Sequence, residues 1–341
     1  MGTHSDAVLP SDEGTTRQYR RDGDDKYGSG EIPLVDPAAG HQGGPDTAEC
    51  LLEVSVKDRG RTRSTGESPS RTYAGRVLVP MDRYADYVVD GVVGHGGSAT
   101  VYRAHHVTSP DLPVALKVLH EHLRLPAHLN RLQREFEFAS RLKHPHIITM
   151  FECGPAWLAM ELIGGGGVVE LTERSDVLVA LGQLASALDY AHDHGIVHCD
   201  VKPANILLAT DFSARGAILV DFGVARSMAE EACHHLTHVE ASLPYSAPEV
   251  LRGRPPAAAA DEYALACTAV ELLTGAPPFT AHTAMALIDD HLNSSVPRYS
   301  HRIDWMPRAF DSILAKAMAK DPDLRYGTCS EFVALATRAL S

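Results

Sequence analysis

The run His198 to Asn205, HCDVKPAN, gathers the side chains of this sequence best suited to chemistry. Asp200 and Asn205 stand five residues apart, with Lys202 between them. An apolar run, Ile206-Leu207-Leu208, follows at once, and Asp221-Phe222-Gly223 comes after a second one, Ala217 to Val220. Short apolar runs bounded by turn residues predict two strands, with the polar residues on the loops beside them. A carboxylate, an amine, an amide and a second carboxylate placed there suit phosphoryl transfer. One carboxylate can receive a hydroxyl proton and the lysine can neutralise phosphate charge. The asparagine and the second aspartate offer the oxygen ligands that Mg²⁺ takes.

Elements that would position this set are legible upstream. In Gly94-His95-Gly96-Gly97-Ser98-Ala99-Thr100-Val101 the glycines at 94 and 96 let a backbone approach phosphates closely, and Val101 would cover a flat ring. A glycine-rich loop alone is a weak signal, because many hairpin turns look like it. Its place before Val114-Ala115-Leu116-Lys117, a strand-like run ending on an amine, strengthens it. From Leu125 to Lys143 the apolar residues Leu129, Leu132, Phe136 and Ala139 recur at helical spacing, and Glu135 lies on that helix. Two strand-like runs follow, Ile147 to Glu152 and Ala156 to Leu162, around the turn Cys153-Gly154-Pro155. The four glycines Gly164 to Gly167 read either as a source of flexibility or as a plain loop. An amphipathic helix is expected over Ser175 to Gly195, with Val179, Leu181, Leu184, Leu188 and Ala191 on its apolar face. His192 and His194 fall in its last turn, where histidine is common, and do not read as metal ligands.

In register and order these runs closely resemble the motifs of protein kinases: G-x-G-x-x-G-x-V, V-A-I-K, H-R-D-x-K-x-x-N, D-F-G and A-P-E. Ala99 stands at the third glycine, Cys199 replaces the usual Arg, and Ala247-Pro248-Glu249 is the last motif. The stretch Leu272-Leu273-Thr274-Gly275 with Pro277-Pro278-Phe279 is similar to the family's E-L-L-T-G-x-P-P-F. The resemblance covers residues 84–341 and looks most like the bacterial eukaryotic-like (Hanks-type) serine/threonine kinases of the actinobacterial kind. It implies an α+β, two-lobed kinase-like fold, with a small β-rich N-lobe over 84–161 and a larger helical C-lobe over 162–341. It also implies ATP and Mg²⁺. ATP would lie against Val93, Gly94, His95, Gly96, Gly97, Ser98, Ala99, Thr100, Val101 and Ala115. Lys117, paired with Glu135, would orient its α/β-phosphates. Met160 would be the gatekeeper, and backbone groups of Glu161 and Ile163 would bond adenine. Asn205 and Asp221 would hold the metal, Asp200 would take the substrate proton, and Lys202 would stabilise the moving phosphoryl group.

Supporting roles follow from the same resemblance. His198 would brace the D-F-G backbone, Asp261 the catalytic-loop backbone, and Arg325 would pair with Glu249. Ser242 reads as structural, and Ser227 and Thr237 as candidate phosphosites. In relatives with Arg at the place of Cys199, that Arg binds a phosphorylated activation-loop residue. Cysteine carries no charge for such a pair, so activity is expected to depend weakly on that phosphorylation. Two rival functions remain. A nucleotide-binding scaffold would usually lack Lys117, Asp200 or Asp221, and all three are present. A small-molecule phosphotransferase would share H-x-D-x-x-x-x-N but lack A-P-E and its Arg.

The rest of the chain bounds these readings. A net charge of −13 over 341 residues, with no basic stripe, argues against nucleic acid as a partner. Protein substrates bearing Ser or Thr are the expected partners, with a homodimer as a route to autophosphorylation. No run of about 18 apolar residues suggests a membrane span, and no signal pattern opens the sequence. Six cysteines without a CxxC pair fit reduced thiols and a cytoplasmic location. Cys233-His234-His235 and His238 could draw a metal, but their spacing matches no common ligand pattern. Residues 1–80 are rich in Gly, Ser, Thr, Asp and Arg, with only short apolar clusters, and are expected to be disordered. They read as a regulatory tail, an inert extension, or sequence upstream of a true start at Met81.

Overall fold

The computed structural model describes residues 83–228 and 243–341. The expectations for residues 1–80, Met81, the Cys233–His238 cluster, Thr237 and Ser242 lie outside the described residues.

Alternating apolar residues build the first half of the described chain into an antiparallel sheet. Its strands are β1 (Arg83–Tyr84), β2 (Tyr87–His95), β3 (Ala99–His106), β4 (Ser109–Leu119), β5 (Met150–Cys153) and β6 (Trp157–Glu161), in the order β1-β2-β3-β4-β6-β5. Successive side chains of a strand point to opposite faces. Val114, Leu116 and Val118 of β4 therefore pack with Tyr87, Tyr102 and Trp157 on one face. Leu119 turns to the other, where Ala99, Leu158 and Leu132 of helix α1 (Pro126–Ser140) form a second cluster. Lys117 shares the parity of Leu119, so the period of two aims it at α1. Proline begins α1, where a missing N–H costs nothing.

The chain then turns helical. The elements are α2 (Arg174–Asp193), β7 (Ile196–Val197), β8 (Ile206–Leu208), α3 (Phe212–Arg215), β9 (Ala217–Leu219), β10 (Arg226–Ser227), α4 (Pro248–Leu251), α5 (Ala258–Thr274), α6 (Ala284–Asn293), α7 (Arg308–Ala317) and α8 (Cys329–Leu340). Every residue of α5 from Ala260 to Val270 is buried, as expected of a helix surrounded on all sides. A β-sheet N-lobe followed by a helical C-lobe is thus observed, as the resemblance implied. One detail of α2 differs. Its buried stripe runs through Val177, Leu181, Leu184, Leu188 and Ala191, whereas Val179 is half exposed. At 100° per residue Val179 falls about 200° from Val177, on the far side of the helix.

The two lobes meet along a short backbone seam. The Ile148 N–H donates to Leu219 O at 3.0 Å and the Leu219 N–H to His146 O at 2.9 Å. The four-glycine run forms a seam of its own within the helical lobe and is not a loose loop. The Gly165 N–H donates to Leu208 O, and the Leu208 N–H to Gly166 O, both at 2.9 Å. A Cβ at Gly165 would stand 2.2 Å from the carbonyl oxygen of Ala209, and Gly166 sits at φ +89°. Glycine is required here by close backbone approach and by left-handed geometry.

Candidate active site

Four pieces of chain converge where the lobes face each other. Lys117 on β4 donates to both carboxylate oxygens of Glu135 on α1, at 2.8 and 2.7 Å. Its ammonium also lies 3.7 Å from Asp221 Oδ1. Burial works against charge on Lys117, but the Glu135 and Asp221 carboxylates outweigh it and hold the amine above its ordinary value. Glu135 is buried while Glu137 is exposed, so the helix register selects between the two. Burial alone would raise the Asp221 carboxyl. Lys117, Arg131 and the Gly223 N–H reverse this and bring it to about 2.

The loop His198 to Asn205 is held from below. Asp261, in the first turn of α5, accepts the N–H groups of His198 at 2.7 Å and Cys199 at 2.8 Å. It also contacts His192 Nε2 at 2.8 Å. Burial would raise this carboxyl, but His192 and His198 keep it below the usual range. Cys199 takes φ 68° and Asp221 φ 64°, left-handed conformations that cost non-glycine residues on the order of 1–3 kcal/mol each. The two Asp261 bonds to residues 198 and 199 stabilise the first of these. His198 accepts the Asp200 N–H on Nδ1 at 3.2 Å and reaches Val220 O with Nε2 at 3.1 Å. The ring thus carries its proton on Nε2 and ties the catalytic loop to the residue before Asp221. Burial followed by the nearby Asp261 pushes the Cys199 thiol well above its ordinary value, so it is not an activated thiolate.

Above this brace, Lys202 Nζ lies 2.9 Å from Asp200 Oδ2. Asn205 Nδ2 donates to Asp200 O at 2.8 Å and to Oδ2 at 2.9 Å. With its amide nitrogen committed to Asp200, Asn205 keeps its carbonyl oxygen as the other donor atom. That oxygen and the ionised Asp221 carboxylate are hard oxygen ligands of the kind Mg²⁺ takes, so the residues present fit the metal.

The glycine-rich segment links β2 to β3, with the Gly96 N–H donating to Ala99 O at 2.8 Å. Ala99, in place of the third glycine, turns its methyl into the cluster of Leu119, Leu132 and Leu158. A side chain there packs the sheet. His95 Nδ1 and His120 Nε2 each lie 3.2 Å from Thr100 Oγ1, a bridge the sequence pattern did not reveal. Met160 is partly buried against the main core. Glu161 ends β6 with its N–H on Thr149 O at 2.9 Å. Farther off, Arg325 grips Glu249 with two bonds of 2.7 Å and both residues are buried.

Three features were not anticipated. His192, at the helix end, supports Asp261. Arg131, Arg134 and Arg226 line a cleft between α1 and Gly223 to Ala225, so this face is cationic although position 199 is not. Arg215 reaches the carboxylate of Glu161 across the lobes. None belongs to a short motif, and only tertiary folding brings each to its partner. One further group, Asp189, His192 and Cys329, converges within 4.8 Å. Asp189 there already accepts the N–H groups of Cys329 and Ser330 at 2.8 and 2.9 Å, which caps the start of α8.

A sheet lobe over a helical lobe, with an ion-paired lysine, a braced Asp-Lys-Asn loop and a second aspartate between them, defines a kinase-type phosphotransfer site. The chain belongs to the protein kinase domain family, whose model matches residues 87–335. It is similar to the serine/threonine-protein kinase PknJ of Mycobacterium tuberculosis, with 37% identity over 272 residues, 75% of this chain and 46% of that protein. PknH of the same organism is 36% identical over 269 residues, covering 76% of this chain and 42% of that protein. PknE is 36% identical over 270 residues, covering 76% and 47%. The chain therefore spans about half the length of the curated relatives it matches.

Proposed function

We propose that this chain transfers the γ-phosphoryl group of ATP to serine or threonine hydroxyls of protein substrates, itself among them. The observation that carries the reading is the single hydrogen-bonded cluster Asp200, Lys202 and Asn205, set opposite the Lys117–Glu135 pair with Asp221 between. Lys117, fixed by Glu135, would hold the α/β-phosphates beneath the segment from Val93 to Val101. Asn205 and Asp221 would hold Mg²⁺, which when bound neutralises phosphate charge. Asp200, kept in place by Asn205, would orient the acceptor hydroxyl and take its proton. Lys202 beside it would offset charge on the transferring group. Backbone groups of Glu161 and Ile163 would receive adenine, with Ala115 and Met160 against the ring.

The choice of Ser and Thr over Tyr rests on Lys202 and on the likeness to the mycobacterial serine/threonine-protein kinases. The complete Lys117, Asp200 and Asp221 set weighs against a scaffold without turnover. The buried Glu249–Arg325 pair weighs against a small-molecule phosphotransferase. Incubation with labelled ATP, Mg²⁺ and a generic protein acceptor, followed by phosphoamino-acid analysis, tests the reading. Phosphoserine and phosphothreonine are expected. Phosphotyrosine alone, or no protein phosphorylation with a sugar or aminoglycoside accepted instead, would overturn it.

A further inference from the structure

The bond from Arg215 of the short helix α3 to the Glu161 side chain has no part in the phosphotransfer chemistry proposed above. Helix α3 sits in the turn between β8 and β9, where the Asp211 carboxylate accepts the Ala214 N–H at 3.1 Å and the Ser213 hydroxyl at 2.7 Å. The turn ends at Gly216, φ +77°, where any Cβ would collide with Gln183. The Gln183 side chain in turn accepts the Ala217 N–H at 2.8 Å. This local frame fixes Arg215. Its guanidinium crosses to Glu161 and bonds both carboxylate oxygens, Nη2 to Oε2 at 2.8 Å and Nη1 to Oε1. Bonding by Arg215 is the main reason the Glu161 carboxyl lies below its ordinary range. A planar fork matched to a carboxylate fixes direction as well as distance. The glycine seam holds the same segment at its other end, through Gly165, Gly166 and Leu208.

We infer that Arg215 is a positioning residue for the adenine-binding segment. It fixes residues 161–163 to the C-lobe and so sets how well ATP is held, without touching the reacting phosphate. The inference rests on the kinase reading, which places adenine at that segment. The pair is partly exposed, so its consequence is alignment more than stability.

The full chain, wild type and variants, would be titrated with ATP in a phosphotransfer assay and with a fluorescent N-methylanthraniloyl-ADP in a binding assay. Arg215→Ala is expected to raise the KM for ATP and the Kd of the probe about three- to tenfold. Its kcat and its KM for protein acceptor stay within twofold. Arg215→Lys recovers only part, because an ammonium cannot form the fork. Should Arg215→Ala fold poorly, Glu161→Gln keeps the shape, weakens the same bond and raises the same two constants. The double variant should cost no more than the larger single effect. An unchanged KM and Kd in Arg215→Ala, or additive effects in the double variant, would overturn the positioning role alone. Wild-type protein that bound no nucleotide would overturn the kinase reading together with it.

Discussion

Glu135 is buried and Lys117 largely so, and Lys117 also lies 3.7 Å from Asp221. Removing one member of such a pair costs about 3–5 kcal/mol, because the other charge stays buried. Glu135→Gln is expected to lower kcat/KM for ATP by roughly two to three orders of magnitude, since the lysine loses its fixed position. Its thermal unfolding should move far less than its activity, and steady-state kinetics beside a thermal melt checks both. Position 199 invites a different test. Cysteine there offers no cation for a charge-assisted pair with a phosphate. Thr237→Ala is therefore expected to keep at least half of wild-type activity in a phosphate-incorporation assay. Complete loss would contradict this and would direct attention to the cleft of Arg131, Arg134 and Arg226. The hydrogen-bonded cluster of Asp200, Lys202 and Asn205 was legible, because its members are close in sequence. Arg215 and His192 were not, because their partners lie 54 and 69 residues away.

Among the elements, α4 and the loop before α8 depend on one contact. Arg325 spans Glu249 with two bonds of 2.7 Å and also donates to Ala259 O at 2.7 Å and Ala319 O at 3.0 Å. Arg325→Ala leaves the Glu249 carboxylate buried without its counter-charge. It is expected to destabilise the chain by about 3–5 kcal/mol, read from denaturant unfolding. Replacing both partners, Arg325→Met with Glu249→Leu, should recover part of the loss, because two apolar groups leave no orphan charge. An undiminished midpoint for Arg325→Ala would contradict the staple. Element types were legible from periodicity, and the limits of α1 and α2 fall within a few residues of expectation. The face of α2 was assigned less well, because a run of apolar residues such as Val177 to Leu181 carries several stripes at once. The glycine run was ambiguous in sequence for a related reason. Flexibility and close packing both favour glycine, and only the oxygen of Ala209 distinguishes them.

For the whole molecule, two buried groups titrate in opposite directions. Burial brings His291, whose Nδ1 meets the Tyr263 hydroxyl at 2.8 Å, down to about 4. Burial brings Glu262 up to about 7. A histidine held below its unfolded value of 6.5 supports folding fully above that pH, and the support is lost as pH falls toward 4. A carboxyl held above its unfolded value of 4.5 supports folding below that pH, and the support is lost as pH rises through 7. Each amounts to roughly 3 kcal/mol across its window, and over most of the range they offset each other. Relative to wild type, His291→Gln should lose stability as pH rises from 4.5 to 6.5, and Glu262→Gln should gain it. Parallel pH profiles for all three proteins would contradict the assignment.

In the proposed mechanism Asp200 and Lys117 act from opposite lobes on one transferred phosphoryl group. Incorporation of label from γ-labelled ATP into protein, by the full chain and by a chain beginning at Met81, tests it most directly. Wild type is expected to incorporate label on Ser and Thr, and Asp200→Asn or Lys117→Met none above background, with both variants folded by thermal melt. Label incorporated at the wild-type rate by either variant would contradict it.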